Sequence, residues 1–322
     1  MNRYHLTHVT EFHYDGAVSE SYNEVRLRPL HDDRQSCLSF RLTTSPASRP
    51  TAYRDAFGNW VHQFNVLAQH RHLKVQADCV VLAYEYAAVP NATTLADLDE
   101  HHDELLEEFY DFVAPTEYVP HLSDLDEFIL ASEQRSGGTV AGFAQAIADA
   151  IHQGFEYVKG ATHVRSSIKD SIAGRAGVCQ DFAHVLLGVA RKRGLPARYV
   201  SGYVVPESPA EPDAKLEEVN GGQASHAWVE VYIPGGGWMP LDPTLGKPVG
   251  LRHVRLAYGR DYGDVAPVRG VYKGHAGQRL FVDVRVCPAV DGEGHERLNE
   301  TAAGPSEPVH EEERSQQPAQ QQ

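Results

Sequence analysis

Of the four cysteines in this 322-residue chain, Cys179 stands in the context best suited to chemistry. It follows Gly177-Val178 and opens the stretch CQDFAHVLLGVARKRG. Phe182, Ala183, Leu186, Val189 and Ala190 recur there at i, i+3, i+4 spacing, which predicts an amphipathic helix from about Cys179 to Arg193. Gly194 is a natural C′ residue, and Arg191, Lys192 and Arg193 suit the negative helix end. A first-turn cysteine meets unpaired N–H groups and the positive end of the helix dipole, both of which favour thiolate over thiol. An unperturbed thiol, with a pKa of about 8.5, is only a few per cent ionised at neutral pH. The position can therefore make a nucleophile. It equally suits a small buried apolar residue with inert sulfur.

Covalent acyl transfer needs a base beside the nucleophile and a carboxylate to orient the base. SHAWVEVYI places His226 on a strand, and WMPLDPT places Asp242 on the next, with PGGG between them. His226, Trp228, Glu230 and Tyr232 share one strand face. A four-residue loop, pairing Ile233 with Trp238, would put Asp242 opposite Val229 on the wrong face. A three-residue loop over Pro234–Gly236 pairs Ile233 with Gly237 instead. Asp242 then falls opposite Trp228 and diagonal to His226, within side-chain reach. Glycines supply the positive φ such a turn needs. Each residue has a plainer role open to it: a satisfied core histidine, or a turn aspartate before a proline.

The remaining chain must position these groups. Residues 1–88 read as β: YHLTHVTEFHY alternates, and SYNEVRLRPL, CLSFRLTT, WVHQFNVL and HLKVQADCVVLAY follow, separated by Asp15-Gly16, Pro46 and DAFGN. Five or six short strands in that length suggest a small sandwich-like antiparallel domain. Residues 89–135 form an acidic helical connector broken at Pro115 and Pro120. TVAGFAQAIADAIHQGF (139–155) predicts a further helix with Val140, Phe143, Ala144, Ile147 and Ile151 on its apolar face. Residues 136–290 make the α+β unit that carries Cys179, His226 and Asp242, and 250–290 is again β. The stretch 206–224, rich in Glu, Pro and Gly, is long for a loop and is a candidate lid over a cleft.

The three blocks GVCQDFAHVLLGVARKRGLPARYVSGY, SHAWVEVYIPGGGW and LDPT resemble the core of the transglutaminase-like superfamily. YHLTHVTEFHYDG, SYNEVRLRPL and DAFGNWV resemble the β-domain that precedes this core in bacterial members, and GRDYGDVAPVRGVYKG (259–274) resembles their C-terminal block. The resemblance spans roughly residues 1–290. It implies a papain-like core whose nucleophile falls on Cys179, base on His226 and carboxylate on Asp242. It further implies attack on an amide carbonyl and a thioester acyl-enzyme. The Cys179 N–H and one further donor, with Tyr157 and Gln180 as candidates, would hold the oxyanion. Water as acceptor gives a peptidase or amidase, the favoured reading; an amine gives a transglutaminase. A third possibility is a module that binds a peptide without cleaving it. Asp181 either engages substrate or serves as a first-turn acid, and Trp228 and Trp238 either line the cleft or pack.

Composition bounds the partners. The net charge of −15 argues against nucleic acid or an anionic membrane, both of which need a basic face. The expected partner is a peptide or protein amide; oligomeric state is not legible. Residues 291–322 hold eight acidic and two basic side chains and read as a disordered tail. No apolar leader or long apolar run is visible, so a reducing cytoplasm and unpaired thiols are the default. The cysteines form no C-x-x-C pair. His70 and His72 share a strand face and His101-His102-Asp103 cluster on a helix, but with no third ligand at usual spacing. No metal or cofactor is expected, and calcium dependence of the animal type is not implied.

Overall fold

The computed structural model describes residues 1–85, 88–90, 92–158, 168–205 and 225–289. The candidate lid at 206–224 and the tail at 291–322 lie outside the described residues. No described helix is long and apolar enough to cross a membrane.

Tyr4, Leu6, His8 and Thr10 are buried while the residues between them are not, so the alternation makes a half-buried strand, β1 (Asn2–Val25). The strand does not end at Asp15-Gly16. It bends there: its register with β5 (His70–Ala83) shifts between His13 and Val18, and Glu20 has a φ of 48°. The first part of β1 pairs with β5, and the last part with β4 (Trp60–Val66). β2 (Gln35–Ser45) and β3 (Thr51–Arg54) complete an antiparallel order β2-β5-β1-β4-β3. One long bent strand thus curls the sheet where the sequence suggests two strands and a turn.

The second unit begins with α1 (Leu95–Glu100), α2 (His102–Glu108), α3 (Tyr110–Val113) and α4 (Asp126–Arg135). These are more than a connector. Leu98, Leu105, Val119, Leu122 and Leu125 belong to the same core as α5 (Val140–Gly154) and α7 (Cys179–Lys192). Their acidic groups meet the cationic end of α7. Arg193 pairs with Asp99 and Glu133, and Lys192 pairs with Asp126 and donates to the Leu122 carbonyl. The helix closes in a Schellman arrangement. Leu195 N–H reaches the Ala190 carbonyl, Gly194 N–H reaches that of Arg191, and Gly194 has a φ of 84°. Between α5 and α7 lie β6 (Glu156–Tyr157), α6 (Ile168–Gly174) and β7 (Ala176–Gly177), with β6 and β7 paired in parallel.

A four-stranded antiparallel sheet follows, in the order β10-β9-β8-β11: β8 (Ala197–Val204), β9 (Ser225–Ile233), β10 (Gly237–Leu241) and β11 (His253–Gly259). Ala227, Val229, Val231 and Ile233 pack on the helices. Tyr203, Val254 and Leu256 pack instead with the N-terminal sheet. Each fully buried Val, Leu or Ile side chain among these contributes about 1.5–3 kcal/mol. The last strands depart from the expected division. β12 (Val268–Lys273) and β13 (Gln278–Pro288), which the sequence places in the second unit, pair with β1. The reason is the alternation Leu280, Val282, Val284, Val286. It gives β13 an apolar stripe; Val284 is buried in the N-terminal core, and Val282 and Val286 pack against it.

Candidate active site

The site begins with α7. Its N-cap, Val178, has no side-chain acceptor to offer. Asp181 supplies the local closure, its Oδ2 accepting from Val178 N–H at 2.8 Å. The Asp181 carboxylate lies so close to Gly177 that a Cβ there would approach it to 2.6 Å, which explains the glycine. Asp181 is therefore a buried first-turn acid fixing the chain just before Cys179. Cys179 occupies the first helical position and is partly accessible, as is Gln180 beside it. Tyr157 enters from β6, and Val158 N–H donates to the Gly177 carbonyl. Burial pushes the Tyr157 and Tyr199 phenols upward, and Cys179 adds to the effect in both. Tyr199 sits on β8 among residues that read from the sequence as ordinary core.

The β9–β10 hairpin pairs Gly237 with Ile233, Trp238 with Tyr232 and Leu241 with Val229. This is the three-residue loop that the face argument required, with Gly235 and Gly237 at φ 73° and 88°. Asp242 follows directly. Its Oδ2 accepts from His226 Nε2 at 2.8 Å, and both side chains are fully buried. Its Oδ1 accepts from Thr244 N–H at 2.9 Å and Leu245 N–H at 3.0 Å. The Asp-Pro-Thr sequence thus forms a turn that holds its own carboxylate. Gly246, with φ 60°, lets His152 of α5 approach and bond the Thr244 carbonyl at 3.0 Å.

His253 on β11 completes the carboxylate's surroundings. Its Nε2 lies 3.2 Å from Asp242 Oδ2, while its Nδ1 accepts from Gly250 N–H at 3.3 Å. That accepted bond leaves the proton on Nε2, so His253 is a neutral donor to Asp242. Burial pushes its basicity down, and Asp242 only partly offsets this. Sequence reasoning missed His253. A lone histidine in LRHVRL gives no signal until β11 is known to neighbour β8.

Trp228 lies wholly inside, its ring 6.2 Å from that of His226 at 28° and edge-on to His253 at 5.2 Å. It forms the wall behind the imidazole rather than a cleft lining. Gly202, opposite His226 on β8, makes room for it, since a Cβ there would come within 2.5 Å of the indole. Trp238 lies in an aromatic group with Phe109, Phe112 and Tyr232.

The electrostatics follow from this geometry. Burial alone would push the Asp242 carboxyl up, but His226 and His253 hold it well below the usual range. Burial alone would lower His226, but Asp242 and then Cys179 outweigh it and raise the imidazole well above its ordinary value. His226 Nδ1 has no conventional hydrogen-bond partner among the described residues, and the Cys179 thiol is one of the groups that raise the ring's basicity. The arrangement can hold a proton between sulfur and nitrogen while the carboxylate stabilises the imidazolium. The structure brings Cys179, His226, Asp242, Tyr157, Asp181 and Trp228 to one region. Of the other histidines, His72 is joined by Glu11 and His13, a neighbourhood the sequence spacing did not reveal; His70 is buried instead.

Known proteins share this architecture. Residues 4–82 match the family described as the bacterial transglutaminase-like N-terminal region, and residues 130–243 match the transglutaminase-like superfamily. An uncharacterized protein of Mycobacterium leprae is 32% identical over 289 residues, covering 89% of this chain and 99% of the relative. A Pseudomonas aeruginosa protein-glutamine gamma-glutamyltransferase is 38% identical over 71 residues, which is 22% of this chain and 10% of that protein. A crystal structure from Cytophaga hutchinsonii, of a protein provisionally described as a cysteine protease, superposes with a TM-score of 0.64 at 24% identity. It covers 90% of this chain and 92% of its own.

Proposed function

We propose, for a chain that belongs to the transglutaminase-like superfamily, that Cys179 is the nucleophile of an amide-cleaving enzyme. His226 is its base and acid, and Asp242 orients the base. The observation that carries this reading is at the hairpin: His226 Nε2 is fixed 2.8 Å from the buried Asp242 carboxylate, on an imidazole whose basicity Cys179 helps to raise.

The Cys179 thiolate adds to the carbonyl carbon of a peptide or isopeptide. The negative charge formed on oxygen meets the Cys179 N–H at the start of α7, with Tyr157 and Gln180 as candidates for a second donor. The C–N bond breaks, His226 gives its proton to the departing amine, and a thioester remains on sulfur. His226, now neutral, takes a proton from water as the water attacks the thioester. The acid leaves and the thiolate–imidazolium pair returns. Water is the default acceptor, because an amine competes only where it is bound and water is excluded.

Amine transfer is the second reading, favoured by the local similarity to the Pseudomonas glutamyltransferase. A peptide library, offered with and without a primary amine, tests both. Hydrolysis predicts amide cleavage that is indifferent to added amine; transfer predicts amine-dependent adducts on glutamine. In either case Cys179→Ala abolishes turnover with the fold retained, since alanine suits a helix. Binding of peptide by the wild type without any turnover would leave only the recognition module.

A further inference from the structure

We propose that Glu11, His13 and His72, on the outer face of the N-terminal sheet, form a binding site for a divalent ion of the zinc class. The register of β1 against β5 sets His13 directly opposite His72 and Glu11 opposite Lys74. Glu11 and His13 lie two residues apart on one strand face, so all three side chains project from the same side. Two paired backbones hold them.

The distances also fit a metal site. Both histidine Nε2 atoms lie 3.4 Å from the same Glu11 oxygen, Oε2. That is long for an N–H···O bond, which prefers about 2.7–3.2 Å. It matches the edge of a tetrahedron around zinc: bonds of about 2.0–2.2 Å to nitrogen and oxygen put neighbouring ligand atoms roughly 3.3–3.5 Å apart. The three donor atoms all lie within 4.8 Å of one another. The rings stand 4.6 Å apart, and Phe281 of β13 packs edge-on against His13 at 5.0 Å, which limits its rotation.

The donor set, two imidazoles and one carboxylate, suits zinc and its neighbours rather than calcium or magnesium. Lys74 pairs with the other Glu11 oxygen, Oε1, at 3.3 Å and leaves Oε2 to the ion. Arg279 stands opposite His13 on β13, so two cations border the site and moderate its affinity. The side chains are 29% to 43% exposed, which leaves a fourth position for water or a donor from another molecule.

The test is a zinc titration of the full chain carrying Cys179→Ala, which removes a thiol that would itself bind the ion. His72→Gln, His13→Gln and Glu11→Gln are then made in that background, each checked for an unchanged metal-free unfolding midpoint. The proposal predicts one zinc per chain at this site and an affinity loss of about tenfold or more in each variant that remains folded. A His101→Gln/His102→Gln double variant should bind as the parent does. Equal affinity in the parent, His72→Gln and His13→Gln would overturn the proposal, as would a parent that binds no zinc at millimolar concentration.

Discussion

Two carboxylates in this molecule are each met by a pair of histidines, with opposite consequences. At Asp242 the nitrogens approach to 2.8 and 3.2 Å and every group is buried. At Glu11 both nitrogens stand at 3.4 Å and solvent reaches all three side chains. Backbone donors from Thr244 and Leu245 complete the first carboxylate, whereas a lysine side chain completes the second. The same residue types thus make a fixed, buried hydrogen-bonded group in one place and a loose, accessible cluster in the other. Burial and backbone closure decide which.

The largest expected difference is in stability. Asp242→Ala removes the partner of a buried histidine and strands the Thr244 and Leu245 N–H groups, and should cost about 3–5 kcal/mol. Glu11→Gln should change stability by no more than about 1 kcal/mol, as partly exposed ion pairs do. Denaturant unfolding of both variants measures the contrast. A comparable loss at the two sites would show that burial does not distinguish them.

Next is reactivity. His226→Gln should slow iodoacetamide capture of Cys179 by about 100-fold or more, in line with loss of a positioned base. His72→Gln should leave that rate unchanged. Peptide mapping after timed alkylation reads both.

A smaller effect is expected at His253. It acts on Cys179 only through Asp242 and His226, so His253→Phe should lower the capture rate by about tenfold, within the range seen for groups that orient a ligand or base. It should also move the pH profile of capture, because the load on Asp242 changes. A stability loss with an unmoved profile would assign His253 to packing alone.

The remaining effect is the pH dependence of stability. His226 is raised in the folded state by Asp242. Its contribution is therefore fully present below the unfolded value of about 6.5 and declines as pH rises toward the folded value, by up to about 1.4 kcal/mol per pH unit. Asp242 is depressed, so its share fails only in acid, below the usual carboxylate range. The stability gap between wild type and Asp242→Asn should narrow from pH 7 to 9. A gap that is flat over this range would mean that His226 is not charged when folded.

Much of the candidate site is written locally. The spacing of Phe182, Leu186 and Val189 fixes the helix that presents Cys179, and face counting along a short hairpin fixes where Asp242 falls. Such signals survive because i, i+4 and cross-hairpin neighbours are set by backbone geometry. What was hidden depends on distant pairing. His253 reaches Asp242 only because β11 joins β8, and β13 returns to β1 across the whole chain. Glu230 shows the same: it is fully buried, yet Arg34 from the N-terminal unit, Arg198 and Arg255 converge on it. No spacing rule signals a cluster drawn from residues 34, 198, 230 and 255. The bend in β1 was hidden for another reason, since Asp15-Gly16 carries turn chemistry that the sheet absorbs as a bulge.

If His226 and Asp242 activate Cys179, it is the thiol of this chain that alkylates first. The most direct measurement is competitive alkylation of the folded protein with limiting iodoacetamide at neutral pH, followed by quantitation of all four cysteines. Burial pushes the Cys37 and Cys79 thiols up, and Cys287 is exposed, so the three serve as internal references. Cys179 should be modified well ahead of Cys287, and His226→Gln should erase the lead. Modification of Cys287 at an equal or greater rate than Cys179 in the wild type would contradict it.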